Sequence, residues 1–505
     1  MADSNRRPAG YGALVERYGL HVIPNRHRSW IAIRNVAERG IKNGIVEETY
    51  PRAYWPGEAT GDHLEFALKY DGTNLAILSA VFEAASPDDL VSYIRSKPTG
   101  KYARRLWFLY EFLTGRRLPL DDVTTGNYVD LLDPEEYYTA APPRKSRRQR
   151  VRDNLPGDSR FCPLVWRTDL LKTFEAADLT GRGRALIAGH AEQLVKRAMS
   201  YLYTKETRCS FEIERIKPNA SRVERFAALL RSAEAEDYLR KPRLIKLQNS
   251  IVEPRFKESD YRAGQNYVGE TVGFQEERVH FVCPKPGDLA ELMEGLIASH
   301  RRMAAGCDSA VMHAAAVAYG FVYLHPFEDG NGRIHRFLIH NILARRGFTP
   351  PGVIFPVSAS MLKNRADYDA SLEAFSRPLM SLVDYSLDAA GRMTVHGDTA
   401  RWYRYIDMTP QAEALFRFIE KTIEVELKGE VNFLLSYDRT VEGLRNIVDM
   451  PDRLMDLFVR LCLQNRGRLS ANKRTAHFDF LSDDEVRRME EVVRSCCRPH
   501  LAESD

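Results

Sequence analysis

The sequence has no run approaching 18 consecutive apolar residues, so it holds nothing long enough to cross a bilayer as a helix. It has little excess charge of either sign. Lys plus Arg number 73 and Asp plus Glu 69, a net of +4 over 505 residues. A general nucleic-acid coat protein would be far more basic, so any such binding must be local. Cysteine is sparse: seven residues, odd in number and scattered except for Cys496 and Cys497. That suits reduced thiols in a cytoplasm and excludes a disulfide framework. The opening Met-Ala-Asp-Ser-Asn-Arg-Arg-Pro has no apolar stretch behind it and does not read as a secretory signal. GxxxxGK[ST], GxSxG and a CxxC pair are all missing, which sets aside a P-loop nucleotide site. His325, His335 and His340 are spaced by ten and five, not by the four that puts two zinc ligands on one helix face. There is no internal repeat and no low-complexity tract beyond one basic run.

What remains is an ordinary globular composition: 44% hydrophobic, 28% charged, 10% aromatic. The length suggests about three domains. Residues 1–155 read as mixed and loop-rich, with Pro51, Pro56, Pro98, Pro119 and several glycines around a helix at Tyr102–Leu113 that stops at Gly115. Arg144 to Arg152, six basic residues in nine, is a boundary, either a solvated linker or a phosphate-facing patch. From 156 to 400 the chain is mainly helical. Leu289, Leu292, Met293, Leu296 and Ile297 mark one apolar face, and Ala310 to Tyr319 is apolar nearly all round, as in a helix buried on every side. Before them Tyr267-Val268 and Val279–Val282 form the strands of a hairpin, with Gly269 and Gly273 in its connection. Residues 401–505 are again helical, with Thr409 as an N-cap before Pro410 and a capping box at Ser482–Glu485. The fold class is therefore mainly α.

One segment carries chemistry: His325-Pro326-Phe327-Glu328-Asp329-Gly330-Asn331-Gly332-Arg333-Ile334-His335-Arg336. Pro326 and the glycines forbid a helix through its first half. Ile334, Phe337, Leu338, Asn341 and Ile342 then mark a helix face that ends at Arg345, Arg346 and Gly347. Gly330, Asn331 and Gly332 thus stand at a helix start, where backbone N–H groups and the helix dipole favour an anion. Arg333 and Arg336, three apart on one face, can clamp phosphate oxygens. Asp329 stands where a carboxylate can share Mg²⁺ with phosphates, and His325 where a base can act.

This segment resembles the signature of the Fic family, His-x-Phe-x-Asp/Glu-Gly-Asn-Gly-Arg-x-x-Arg, and meets all eight specified positions. The hairpin, the proline-bearing stretch Val282–Pro286 and the two apolar helices also look like the family over roughly 200–380, and the whole length resembles a long bacterial branch of it. The resemblance implies a Fic-type helical core with a β-hairpin flap, an irregular N-terminal region and a C-terminal helical, winged-helix-like domain. It implies transfer of AMP from ATP to a Ser, Thr or Tyr hydroxyl of a protein target or of the chain itself. His325 is then the base and Asp329 the Mg²⁺ ligand. The Gly330–Gly332 amides and the Asn331 side chain hold the α- and β-phosphates, and Arg333 and Arg336 the β and γ groups. Phe327 anchors the loop. The hairpin, with Val279 and Phe281, adds an extended target segment as a further strand. The phosphorylating Doc branch carries Lys where Gly332 stands and fits less well.

Upstream, Ser210 to Arg215 resembles the family's inhibitory pattern Ser/Thr-x-x-x-Glu-Gly/Asn. In that scheme Glu214 reaches Arg336 and displaces the γ-phosphate. Arg215 departs from the pattern; a left-handed residue there costs on the order of 1 kcal/mol more as Arg than as Gly. Alternatives are removal of AMP, with Glu214 orienting a water, or a DNA-binding regulator or toxin–antitoxin-like module directed by the charge-rich stretch Asn465–Arg474, which otherwise reads as a solvated loop. Self-association is a further expectation.

Overall fold

The computed structural model describes residues 6–33, 37–42, 44–273 and 276–498. The fold is mainly α. The chain opens with strands β1 (Arg6–Pro8), β2 (His27–Ala32), β3 (Glu38–Lys42) and β4 (Ile45–Tyr50), ordered β1-β2-β4-β3 with helix α1 (Tyr11–Tyr18) alongside. Helices α2 (Thr60–Phe66), α3 (Leu75–Ala84), α4 (Pro87–Ser96) and α5 (Lys101–Thr114) follow. They pack on Leu64, Leu78, Val81, Leu106 and Trp107, all at most 2% exposed. The region is therefore more regular than its prolines and glycines suggested. Those residues punctuate helices instead of breaking them: Pro87 opens α4 behind a Ser86 cap, and Gly115 closes α5 in the left-handed conformation.

The basic run is built into the fold, while Arg144, Lys145 and Arg147 stay exposed. It contributes β6 (Arg144–Ser146) and β7 (Val151–Asp153), which with β5 (Val129–Asp130) form a small sheet. Arg148 lies over the Trp107 ring, donates to the Leu118 and Leu120 carbonyls and pairs with Glu111 and Asp122. Arg152 clasps Asp130 with two bonds.

Helices α6 (Asp169–Ala176), α7 (Leu179–Ala188), α8 (Glu192–Ile213), α9 (Ala220–Arg231) and α10 (Lys241–Ile251) lead to the hairpin β8 (Tyr267–Gly273) and β9 (Glu276–Val282). Gly269 and Gly273 lie within β8, not in the turn; a Cβ at Gly269 would meet the Arg278 carbonyl at 2.7 Å. Next come α11 (Pro286–Gly306), α12 (Ala310–Leu324), α13 (Asn331–Arg345), α14 (Val357–Lys363) and α15 (Arg365–Met380). Of the residues in α12, all but Ala310 and Val322 are buried, since α11, α13 and α17 (Thr409–Lys421) enclose it. Two short strands, β10 (Tyr385–Leu387) and β11 (Met393–Val395), and helix α16 (Ala400–Arg404) precede α17. Thr409 does not cap α17. Its hydroxyl oxygen accepts from the Trp166 N–H at 3.0 Å instead.

A π-helical segment, Thr422–Leu427, joins α17 to α18 (Lys428–Arg445), and α19 (Asp452–Leu463), α20 (Ala471–His477) and α21 (Asp483–Cys496) complete the chain. The Ser482–Glu485 capping box is present. One hydrophobic core runs from Tyr11 to Val431, and a second, with Leu444, Phe458, Phe478 and Met489, lies in the C-terminal helices. A small third cluster gathers Ala9, Ile31 and Phe66. Among the described residues from 401 to 498 there is no strand, hence no β wing; Asn465–Arg474 spans a turn and the start of α20.

Candidate functional site

Helix α12 ends at His325, whose φ of 50° turns the chain out of the core into the loop before α13. Phe327 is fully buried against Phe321 and Tyr261 and seats that loop. The Asn331 side chain accepts from the Phe327 N–H at 3.1 Å and donates to the Phe327 carbonyl at 2.7 Å. Both ends of that amide are thus engaged within the loop, and the anion-binding capacity at this point lies in the backbone. Gly330 caps α13 at φ 92°, where a Cβ would also press on Val252 at 2.9 Å. The N–H groups of Asn331, Gly332 and Arg333 precede the first intrahelical bond, from the Ile334 N–H to the Gly330 carbonyl at 2.9 Å.

Arg333 and Arg336 are at most 2% exposed. Arg336 donates from Nε to Ser210 Oγ (2.9 Å) and from Nη2 to the Ser210 carbonyl (2.6 Å) and Glu214 Oε1 (2.8 Å). Burial opposes its charge, and the Glu214 carboxylate more than restores it, so its pKa is raised. Arg333 Nε lies 2.6 Å from Glu214 Oε2, an ion-pair contact without hydrogen-bond geometry, and its Nη2 donates to Asp329 Oδ1 at 2.6 Å. The expected Glu214–Arg336 pair is therefore present, and Arg333 shares it, a contact that the pattern does not announce. Glu214 itself caps the C-terminus of α8, and Arg215 takes the left-handed position at φ 57°. Gly332 is what lets the carboxylate approach: a Cβ there would lie 2.4 Å from Glu214 Oε1.

The His325 ring is half-buried, and its Nδ1 is 3.1 Å from the Val322 carbonyl. Donation from Nδ1 fixes one tautomer and leaves Nε2 as the basic nitrogen. Burial lowers the pKa to about 4; the Val322 bond opposes this and the Arg262 charge assists it. The ring is thus neutral at pH 7. A reaction that used this ring as its base would lose rate only as pH drops through about 4, well below the 6.5 of an ordinary histidine. The acid limb of a kcat/KM profile measures this; a limb near 6.5 contradicts it.

Asp329 Oδ1 is taken by Arg333 and by the Gly330 N–H, whereas Oδ2 has no partner among the described residues. No group of three His, Cys, Asp or Glu among the described residues could hold a metal alone. One open carboxylate oxygen beside an anion cradle fits a hard cation that takes its other oxygens from phosphates and water. His335 and His340 are structural: His335 packs on Tyr319 and Tyr368, and His340 Nε2 is 2.7 Å from the buried Glu206. In the hairpin, Val279 is half-buried, but Phe281 is 6% exposed and packs on Tyr323, Phe375 and Tyr403. The Phe281 side chain thus belongs to the core.

The sequence profile of the Fic/DOC family matches residues 238–343. This span is similar to a Fic domain. The match begins after α9, so Glu214 and Ser210 lie outside it although they touch its arginines. The chain is 36% identical over 91 residues to the protein adenylyltransferase Fic of Aedes aegypti, covering 18% of this chain and 16% of that protein. It is 37% identical over 97 residues to the protein of the same name from Drosophila ananassae, covering 19% and 17%. The chain thus spans less than a fifth of the length of these relatives. A crystal structure of a Fic family protein from Desulfovibrio desulfuricans G20 overlays with a TM-score of 0.37 at 18% identity, covering 63% of this chain and 87% of that one. Among the described residues no helix is long and apolar enough to cross a membrane.

Proposed function

We propose that the chain is a self-inhibited protein adenylyltransferase. The observation that carries this reading is the Glu214 carboxylate, paired at 2.6 and 2.8 Å with the two arginines of the Fic signature beside the open N-terminus of α13. An anion already occupies the place suited to the end of a triphosphate. In the proposed reaction His325 Nε2 takes the proton of a Ser, Thr or Tyr hydroxyl as its oxygen attacks the α-phosphorus of ATP. The bond from that phosphorus to the bridging oxygen breaks, and pyrophosphate leaves. The amides of Asn331 to Arg333 hold phosphate oxygens, and Arg333 and Arg336 hold the terminal group once Glu214 has withdrawn. Mg²⁺, held by Asp329 and the phosphates, would supply charge neutralisation at the transferred group.

The target would present an extended hydroxyl-bearing segment to the hairpin by main-chain hydrogen bonds. Val279→Pro, which removes one N–H from β9, tests this. Losing one or two bonds of about 1 kcal/mol predicts a target KM raised roughly 5- to 30-fold with ATP affinity kept. Equal loss of both would make the hairpin merely structural. The reading as a whole is tested with labelled ATP, a lysate and mass spectrometry. An AMP adduct on a hydroxyl side chain is expected, and only loss of AMP from premodified protein would favour the reverse reaction.

A further inference from the structure

We propose that Arg262 is a positioning residue that ties the feet of the hairpin to the loop bearing His325, so that the base is held in register with the hydroxyl delivered there; this rests on the transfer reading above. Arg262 is 4% exposed and has no ion pair among the described residues. Burying a guanidinium without a carboxylate is costly, and an apolar side chain would fill the space more cheaply. What it has instead is carbonyl oxygens from three segments. Nε donates to the His325 carbonyl at 2.8 Å, Nη1 to Gly264 at 2.7 Å and Nη2 to Pro284 at 2.7 Å. Its own N–H donates to the Pro326 carbonyl at 2.8 Å.

Gly264 stands just before β8 and Pro284 just after β9, so one planar fork joins both feet of the hairpin to the loop. The Cys283 N–H to the Asn266 carbonyl (3.2 Å) and Gln265 Nε2 to the Cys283 carbonyl (2.8 Å) close the same junction. The need for such a hold is local. At φ 50° His325 occupies a conformation that is strained for a residue with a Cβ and lasts only where the surroundings over-determine it. Arg262 fixes the carbonyls of His325 and Pro326, the Phe321 carbonyl takes the His325 N–H, and the Val322 carbonyl orients the ring. None of these contacts involves Arg333, Arg336 or the amides of α13, so the hold on the base is separable from nucleotide binding. Lysine carries the charge but not the fork, and can bond only part of this carbonyl set.

The test uses the full chain with Arg262→Lys and Arg262→Gln, each in a Glu214→Gly parent. ATP affinity should stay within about twofold, because the phosphate contacts are untouched. The kcat should fall on the order of 10²-fold for Gln, the scale of a misplaced catalytic group, with Lys intermediate. In ¹⁵N-histidine spectra, with His325 identified by its loss in His325→Ala, the single Nδ1-protonated tautomer should give way to a mixture in the Gln variant. If the Gln variant does not fold, the Lys variant decides by the same readings. Unchanged kcat and an unchanged His325 signal in a folded variant overturn the proposal, as does a loss of ATP affinity that parallels the loss of rate. A parent that transfers nothing defeats the transfer reading, and the ¹⁵N signal alone then decides whether Arg262 holds His325.

Discussion

Glu214→Gly is expected to raise modification of target or of the chain itself by about 10²-fold over the unmodified sequence. The magnitude follows from the pairing. Glu214 serves two guanidiniums that are otherwise almost fully enclosed, and its own side chain is 22% exposed. Breaking such a pair costs about 3–5 kcal/mol, with the lower end apt for a carboxylate in partial contact with water. A closed form favoured by about 3 kcal/mol leaves the competent pose near one part in 10². The same change has a cost without nucleotide. Arg333 keeps the Asp329 carboxylate, but Arg336 keeps only Ser210 and Tyr368 and loses the anion that offset its burial. The variant should therefore melt earlier than the unmodified chain and regain more stability on adding ATP and Mg²⁺, because ligand that binds only the native form stabilises it. Thermal melts with and without nucleotide measure this. Equal activity and equal melting of the two proteins would show that the carboxylate does not hold the site closed.

His325→Ala in the Glu214→Gly parent should lose transfer by about 10²–10⁴-fold, the usual worth of a general base, with ATP affinity kept. His325 stands at the end of α12, whereas the phosphate cradle lies at the start of α13, six residues on. The ring nitrogen left for chemistry contacts no phosphate ligand, so its removal touches the barrier and not ground-state binding. Kinetics and nucleotide titration on one preparation separate the two. Undiminished transfer would remove His325 from the reaction, and a parallel loss of ATP binding would make it a structural support of the loop.

Features set by local chemistry were legible in the sequence. The helix start after Gly330, the buried α12, the end of α13 at Gly347 and the Ser482 capping box depend on residues a few positions apart. The Glu214–Arg336 pair, 122 residues apart, was legible only through the family pattern. What sequence reading missed depends on where a polar side chain finds its partner. The Asn331 side chain also closes a ring with the carbonyl and N–H of Phe327, which its residue type did not announce. The run from Arg144 looked solvated because nothing nearby neutralises it, while Glu111, Asp122 and Asp130 come from earlier segments. Thr409 had the form of a cap, but the backbone of Trp166 claims its hydroxyl. Arg262 gave no signal at all, because its partners are carbonyl oxygens, which every residue carries. The hairpin glycines read as turn residues because close strand approach and turning both call for glycine.

Transfer of AMP and restraint by Glu214 can be read in one experiment. The direct measurement gives the Glu214→Gly protein ATP labelled at the α-phosphorus and, in parallel, at the γ-phosphorus, beside the unmodified chain. Label from the α position should enter protein far faster with the variant, and label from the γ position should not enter with either. Incorporation from the γ position would mean that the site transfers phosphate and not AMP, and equal α-label incorporation by the two proteins would mean that Glu214 does not restrain it.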